Sequence, residues 1–166
     1  MSSSRREADA SPAILAAYGY ARARVRSRQE LLAYLRRRGY AAASVASAVA
    51  ACANRGLIDD RACAVLWANA WARHGYAWAA IRLKLAAKGL GSQAVTEAER
   101  SIGSRPDDEA RARALASSYL HRSVNASPPR SRHGQAARLS RVLTSRGFDQ
   151  DLIERILEES VGALCD

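Results

Sequence analysis

The side chains that could carry chemistry in this chain are few. They are three histidines, three cysteines and the two aspartates shortly after Gly56: His74, His121, His133, Cys52, Cys63, Cys165, Asp59 and Asp60. The histidines and cysteines do not follow the ligand spacing of a zinc site, and no CxxC pair occurs. The phosphate-binding loops GxxxxGK and GxGxxG and the nucleophile motif GxSxG are also missing. Together these patterns argue against an enzyme and indicate neither a cofactor nor a metal site.

The aspartate pair is better explained by helix capping than by catalysis. Asp59 and Asp60 follow Gly56, which closes one helix, and no other acidic cluster lies near them in the sequence. Aspartate is a preferred N-cap, and a second carboxylate in the first turn favours the positive end of the helix dipole. Cys52 and Cys63 are predicted to be small buried apolar residues, reduced as thiols are in the cytoplasm.

The dominant property of the chain is its positive charge. The net charge is +10, and residues 1–56 hold ten arginines against three acids. The later segments are more balanced, with six basic and four acidic residues in 57–103 and ten and nine in 104–166. The excess at the start predicts attraction to a polyanion, either nucleic acid or an acidic protein groove. A general preference for Arg over Lys is the alternative, but it does not explain why acids are scarce at one end.

One pattern recurs three times and supplies the elements that must position these charges. Each copy has Leu or Ile eight residues before a glycine, Leu four before it, an aromatic or aliphatic residue after it, and Val or Ile six after it. The copies are Leu31, Leu35, Gly39, Tyr40 and Val45, then Ile81, Leu85, Gly89, Leu90 and Val95, then Leu139, Leu143, Gly147, Phe148 and Ile153. Apolar residues at this spacing form one helix face, and glycine after a basic last turn takes the left-handed cap. Each copy therefore predicts a helix, a tight corner and a second helix.

The spacing of the copies predicts the architecture. They lie 50 and 58 residues apart, which leaves room for about three helices each. The predicted fold is all-α, with three tandem three-helix repeats in an elongated, curved array, right-handed or solenoid-like. We expect a disordered tail at 1–10, repeats at 11–56, 57–103 and 104–166, and a loop at 123–132. The turns are assigned to Gly39, Gly56, Gly89 and Gly147, and no apolar window is long enough to span a bilayer.

Local signals predict where individual helices begin. Pro12 opens a helix expected to run to about Arg26, and Ser27 with Glu30 fits a capping box that opens the next helix. Asp107, Asp108 and Glu109 are expected to cap a later helix.

The tryptophans allow two interpretations. Trp67 and Trp71 lie one helical turn apart, and Trp78 begins the apolar stripe that continues at Ile81 and Leu85. Exposed indoles can stack on nucleobases. Because these residues alternate with alanine at helical spacing, core packing is the favoured interpretation.

Several segments together resemble the RecX family of bacterial regulatory proteins. They are residues 27–35, Arg38-Gly39-Tyr40, Gly56-Leu57-Ile58-Asp59-Asp60, Arg73-His74-Gly75-Tyr76, residues 81–85, Lys88-Gly89-Leu90 and, in the third copy, residues 143–148. The resemblance covers roughly residues 12 to 160, as a three-repeat array would. Two positions depart from the family pattern: Cys63 stands where an aromatic residue is usual, and Lys84 stands where an acid is usual.

The resemblance implies a function. A RecX-like protein would lie in the groove of the RecA–single-stranded DNA filament, obstruct ATP hydrolysis and strand exchange, and promote filament loss. It would act in DNA repair, homologous recombination and the SOS response, as a cytoplasmic monomer without cofactors and without a membrane partner. Single-stranded DNA is a further partner that this resemblance leaves open, and no catalytic residues carry over.

The expected contact surface for the filament is basic. The residues assigned to it are Arg22, Arg24, Arg26, Arg28, Arg36, Arg37, Arg38, Arg82, Lys84 and Lys88. A rival hypothesis is a stand-alone DNA-binding protein that uses one corner as a helix-turn-helix. The helices after Gly39 and Gly89 begin with Ala41-Ala42-Ala43 and Gly91-Ser92-Gln93, which offer few base-reading groups.

Overall fold

The computed structural model describes residues 11–102, 105–124 and 132–162, and the regular elements in these ranges are helices. They are α1 (Pro12–Arg22), α2 (Arg28–Arg37), α3 (Ala42–Asn54), α4 (Asp60–Arg73), α5 (Trp78–Ala87), α6 (Ser92–Ile102), α7 (Arg105–Val124), α8 (Arg132–Ser145) and α9 (Gln150–Gly162). The predicted all-α class is confirmed. The predicted tail at 1–10 and residues 125–131 of the predicted loop lie outside the described residues, as does Cys165.

The helices enclose three apolar cores. The first core, between α1, α2 and α3, contains Leu31, Leu35, Val45, Val49 and Cys52. The second core, between α4, α5 and α6, contains Ile81, Leu85, Leu90, Ala98 and Ile102. The third core, between α7, α8 and α9, contains Leu139, Leu143, Phe148, Ile153 and Ile156. The leucines and isoleucines of the repeated pattern are thus the centre of each core, while the elongated, curved shape and the boundaries of the repeats stay predictions.

Neighbouring cores share residues across their borders. Leu57 and Ile58 lie after α3 and pack against the first core. Ala77 lies just before α5 but is buried in the third core. The first and third cores are therefore completed by residues from outside their own three helices. None of the helices in the described ranges combines the length and apolar composition that a membrane crossing requires.

The three repeated corners have the same hydrogen-bond geometry. The residue after each glycine donates its N–H to the carbonyl of the last core leucine: Tyr40 to Leu35 at 3.4 Å, Leu90 to Leu85 at 3.3 Å and Phe148 to Leu143 at 3.3 Å. The four turn glycines have positive φ, at 79° for Gly39, 63° for Gly56, 72° for Gly89 and 83° for Gly147. This is the left-handed helix cap that the pattern predicts.

The first helix is shorter than predicted. The capping box is confirmed, because the Ser27 side chain accepts from the Glu30 N–H and the Glu30 carboxylate accepts from the Ser27 N–H. Ser27 must be extended to cap α2, and the Arg26 carbonyl accepts a bond from the Asp59 N–H at 3.1 Å. In the structure α1 ends at Arg22, and Arg26 lies in the connection to α2.

The two acidic residues of the Asp59–Asp60 pair have different partners. Asp59 caps α4, since its carboxylate accepts from the N–H groups of Arg61 and Ala62. Asp60 reaches back to the preceding group and accepts from the Arg28 N–H, at the start of α2, at 2.7 Å. The sequence predicted the cap of α4 but did not predict this second contact.

Asp108 makes the equivalent contact one repeat later. Its carboxylate accepts from the Trp78 N–H, at the start of α5, at 2.9 and 3.1 Å. Arg28 and Trp78 hold the same place in the repeated pattern, three residues before Leu31 and Ile81. The expectation that Asp107, Asp108 and Glu109 cap their own helix is wrong for Asp108, because α7 begins at Arg105 and the carboxylate serves α5 instead.

The third corner packs directly on the second group. The Arg146 carbonyl accepts from the Ala77 N–H at 3.0 Å. A Cβ atom on Gly147 would lie 2.6 Å from the Ala80 Cβ, whereas one on Gly39 would meet nothing within 4 Å. Gly147 is therefore required for close approach as well as for its backbone conformation.

Replacing Asp108 by Ala should weaken the contact between α7 and the start of α5. The change removes the acceptor of the Trp78 N–H and the partner of Arg111, and both the Asp108 and Arg111 side chains are largely buried. We expect the free energy of unfolding to fall by about 1–3 kcal/mol, the usual cost of an unsatisfied buried polar group. Chemical denaturation measures it. Asp107→Ala is the matched control, because Asp107 is exposed in the same turn, and an equal loss in both variants would contradict the role of Asp108.

Candidate functional site

Four of the ten predicted basic residues lie beside aromatic rings. Arg26 and Arg38 lie beside tyrosines of the first group, and Lys84 and Lys88 lie beside aromatic residues of the second. The remaining side chains are exposed and make no aromatic contact in the described ranges: Arg22, Arg24, Arg28, Arg36, Arg37 and Arg82. The structure thus divides the predicted surface into two aromatic–basic clusters and several separate charges.

The tyrosine cluster consists of Tyr20, Tyr34, Arg26 and Arg38. The rings of Tyr20 and Tyr34 stack with their centroids 3.9 Å apart and an interplanar angle of 8°. The Arg26 guanidinium lies 4.1 Å from the Tyr20 centroid, and Arg38 lies 5.4 Å from the Tyr34 centroid and donates to its hydroxyl at 3.0 Å. This packing holds both arginines against the surface of α1 and α2.

Glu30 reduces the positive charge beside the tyrosine cluster. Its carboxylate pairs with Arg24 and lies 3.8 Å from Arg26. The same carboxylate completes the capping box of α2. Arg24 and Arg26 were predicted to contact a partner, but in this conformation they are engaged within the chain.

The tryptophan cluster consists of Trp67, Trp71, Tyr76, Lys84, Lys88 and Arg146. The two indoles lie 6.3 Å apart at an angle of 42°. The Lys84 Nζ lies 4.5 Å from the Tyr76 centroid and 5.7 Å from Trp71, and the Lys88 Nζ lies 5.6 Å from Trp67. The Arg146 guanidinium lies 4.3 Å from the Tyr76 centroid. Three cations, from α5, its C-cap and the corner after α8, therefore face three rings.

The aromatic rings of this cluster are only half-buried. Trp67, Trp71 and Tyr76 pack against the second core on one side and keep part of their surface accessible. The prediction of core packing is therefore correct for one side of these rings, but it did not include their contacts with cations. Trp78 lies apart from the cluster, beside Asp108 and Phe148 at the joint with the third group.

Arg146 is the cluster residue that the sequence interpretation missed. Each repeat glycine is directly preceded by a basic residue, namely Arg38, Lys88 and Arg146. In all three cases this cation lies over an aromatic ring. A basic residue directly before the repeat glycine is thus the signal that predicts Arg146. The nearly balanced charge of residues 104–166 does not indicate it.

Helix geometry separates the other charges from the clusters. Arg36 lies two residues after Tyr34, and Arg82 lies two residues before Lys84. Two residues correspond to about 200° around a helix, so these arginines point away from the cluster side. Arg28 lines a shallow pocket together with Asp59, Asp60 and Arg61, where acids offset its charge.

Burial and surface ion pairing account for the shifted pKa values of two thiols and one carboxylate in the described ranges. Burial, followed by the charges of Glu30 and Asp60, raises the pKa of the Cys63 thiol to about 12, and burial also raises the pKa of Cys52. Both thiols are protonated at neutral pH and fill core positions, as predicted. Side-chain hydrogen bonds from Arg113 lower the pKa of Glu159, and these two side chains form an ion pair on the surface. Within the described residues, no group of three His, Cys, Asp or Glu side chains could hold a metal ion.

Comparison with known proteins identifies the fold. No family model and no curated protein matches the chain. A crystal structure of RecX from Lactobacillus salivarius is similar with a TM-score of 0.70 and 20% identity, over 93% of this chain and 97% of that chain. A crystal structure of a regulatory protein RecX is similar with a TM-score of 0.69 and 20% identity, over 88% of this chain and 72% of that one. The chain has the fold of these RecX structures, so the resemblance seen in the sequence is confirmed at the level of the fold.

Proposed function

We propose that this chain, with its RecX fold, binds the RecA–single-stranded DNA filament and inhibits ATP hydrolysis and strand exchange by RecA. It acts as a regulator and not as an enzyme, in the cytoplasm, as a monomer that lies in the filament groove. In this role it limits homologous recombination during DNA repair and the SOS response.

The fold is the observation that carries this proposal. The two similar structures are RecX proteins and align with most of this chain. Independently of the fold, the sequence carries the turn Gly56-Leu57-Ile58-Asp59-Asp60 and the unit Lys88-Gly89-Leu90 that resemble the same family. Two different kinds of similarity thus lead to one partner.

The charge distribution supports a partner of high negative charge. Arg36, Arg37 and Arg38 form an exposed basic end of α2, and Lys88 occupies the equivalent corner of α5. A filament of protein and DNA presents phosphates and acidic side chains over a long surface. Contacts of this type weaken as the salt concentration rises.

The proposal is tested by titrating the full chain into RecA that hydrolyses ATP on single-stranded DNA. We expect the hydrolysis rate to fall with rising protein concentration, and the inhibition to weaken with added salt. A RecA activity that is unchanged at saturating protein would contradict the proposal. A sequence-specific shift of naked duplex DNA without RecA would instead favour the helix-turn-helix alternative.

A further inference from the structure

The part of the tryptophan cluster that comes from α4 and α5 has no acid near it in sequence, whereas Asp149 lies three residues after Arg146. Residues 61–96 contain five Lys and Arg residues and no Asp or Glu. None of the ion pairs found within the described ranges includes Lys84, Lys88 or Arg146. In the tyrosine cluster, by contrast, Glu30 already engages Arg26. The three cations of the tryptophan cluster are thus available to an external anion.

The cluster also offers rings beside its cations. Trp67, Trp71 and Tyr76 are half-buried, and a lysine or arginine lies against each ring. An acidic polypeptide would use the cations but would leave the rings unused. Proteins that bind single strands combine a basic surface with aromatic rings, on which bases stack while the cations contact phosphates. The composition of the cluster therefore favours a single-stranded nucleic acid over an acidic protein segment.

The site is built from two repeats. Lys84 belongs to α5 and Lys88 is the C-cap of that helix, whereas Arg146 comes from the corner after α8. The Arg146 carbonyl bond to the Ala77 N–H fixes this corner against the second group, next to Tyr76. The affinity of the site should thus depend on a residue of the third repeat.

We infer that the tryptophan cluster is a composite binding site for single-stranded nucleic acid, in which bases stack on Trp67 and Trp71, Tyr76 holds Lys84 and Arg146 in place, and phosphates contact Lys84, Lys88 and Arg146. This goes beyond the proposed function, because it assigns to the chain alone a direct contact with the strand. The strand needs no particular sequence, since every base presents a ring face.

Binding of a labelled oligo(dT) of roughly 20 nucleotides, longer than the site of a single module, tests this assignment without RecA. The triple variant Lys84→Gln, Lys88→Gln and Arg146→Gln should reduce the slope of log affinity against log salt by about 2, since each phosphate contact contributes roughly 0.7. Arg146→Gln alone should reduce it by about 0.7. The control is Arg122→Gln, Arg138→Gln and Arg141→Gln, which removes the same charge from exposed positions of the third repeat.

Tryptophan fluorescence tests the stacking. In a Trp78→Phe background the two cluster indoles are the only tryptophans, because the chain has three. We expect oligo(dT) to quench them, and an abasic strand of the same length to bind more weakly without quenching. The assignment is overturned if both triple variants change the salt slope equally, if the abasic strand binds as well as oligo(dT), or if poly-glutamate competes as well as the strand. A chain that inhibits RecA but fails these tests would retain its proposed function and lose this site.

Discussion

Replacing Gly147 by Ala is expected to destabilise the protein by about 2–5 kcal/mol. The residue has φ of 83°, and a left-handed conformation costs an L-residue about 1–2 kcal/mol. The new Cβ would also lie 2.6 Å from the Ala80 Cβ and 3.3 Å from the Ala80 backbone nitrogen. Because Ala80 cannot rotate out of the way, the corner must shift, and overpacking of this kind costs about 1–3 kcal/mol. Chemical denaturation measures the loss.

Gly39→Ala is the matched control for this variant. Gly39 has nearly the same φ, at 79°, but a Cβ there would meet nothing within 4 Å. It should therefore show only the conformational cost of about 1–2 kcal/mol. Equal losses in the two variants would mean that the third corner does not approach α5 as closely as described.

Reversing Arg36, Arg37 and Lys88 to Glu is expected to raise the concentration needed for half-maximal inhibition of RecA by at least about 100-fold. All three side chains are exposed at the basic ends of α2 and α5, so the change should leave the cores intact. Like charges brought together across an interface cost several kcal/mol, and about 1.4 kcal/mol corresponds to a factor of ten. The measurement is the ATP hydrolysis titration, with thermal unfolding to verify the fold.

A second charge-reversal variant distinguishes the effect of net charge from the effect of the positions of the charges. The variant Arg122→Glu, Arg138→Glu and Arg141→Glu changes the charge by the same amount at exposed positions of the third repeat. It should retain most of the inhibition. If it loses as much as the first variant, the filament responds to overall charge, and the assignment of the contact surface to the first two corners is wrong.

The local structure of this protein was largely predictable from its sequence. Ser27 and Glu30 form a capping box that needs only a spacing of three residues, and Gly39, Gly89 and Gly147 close helices whose core leucines lie four residues earlier. Such features depend on neighbours within one or two helical turns, so that periodicity and residue type are sufficient to find them.

The contacts between repeats were not predictable in the same way. The hydrogen bonds from the Arg28 N–H to Asp60 and from the Trp78 N–H to Asp108 join residues that are 32 and 30 positions apart. Their formation depends on how one group of helices is placed on the next, which local spacing does not determine. The bond from the Asp59 N–H to the Arg26 carbonyl joins residues 33 positions apart and is a further contact of this kind.

The candidate site was predicted in part. The sequence assigned Lys84 and Lys88 to the basic contact surface, and in the structure both lie against aromatic rings, but Arg146 joins them only because the third corner folds onto the second group. Arg36 and Arg82 were assigned to the same surface by charge alone, although helix geometry turns them away from the aromatic rings.

Asp60 and Asp108 each accept a hydrogen bond from a residue about thirty positions earlier, which has a consequence for synthesis on the ribosome. Because Asp108 supplies the acceptor for the start of α5, the second group lacks that bond until the chain has been translated some thirty residues further. The same holds for α2 and Asp60. Domains generally acquire structure from the N-terminus as they emerge, so a growing chain of this protein keeps its newest group incompletely anchored until its successor arrives. Translation that stops between two groups therefore releases a product whose last module is the weakest, which makes it the first point of attack for a protease.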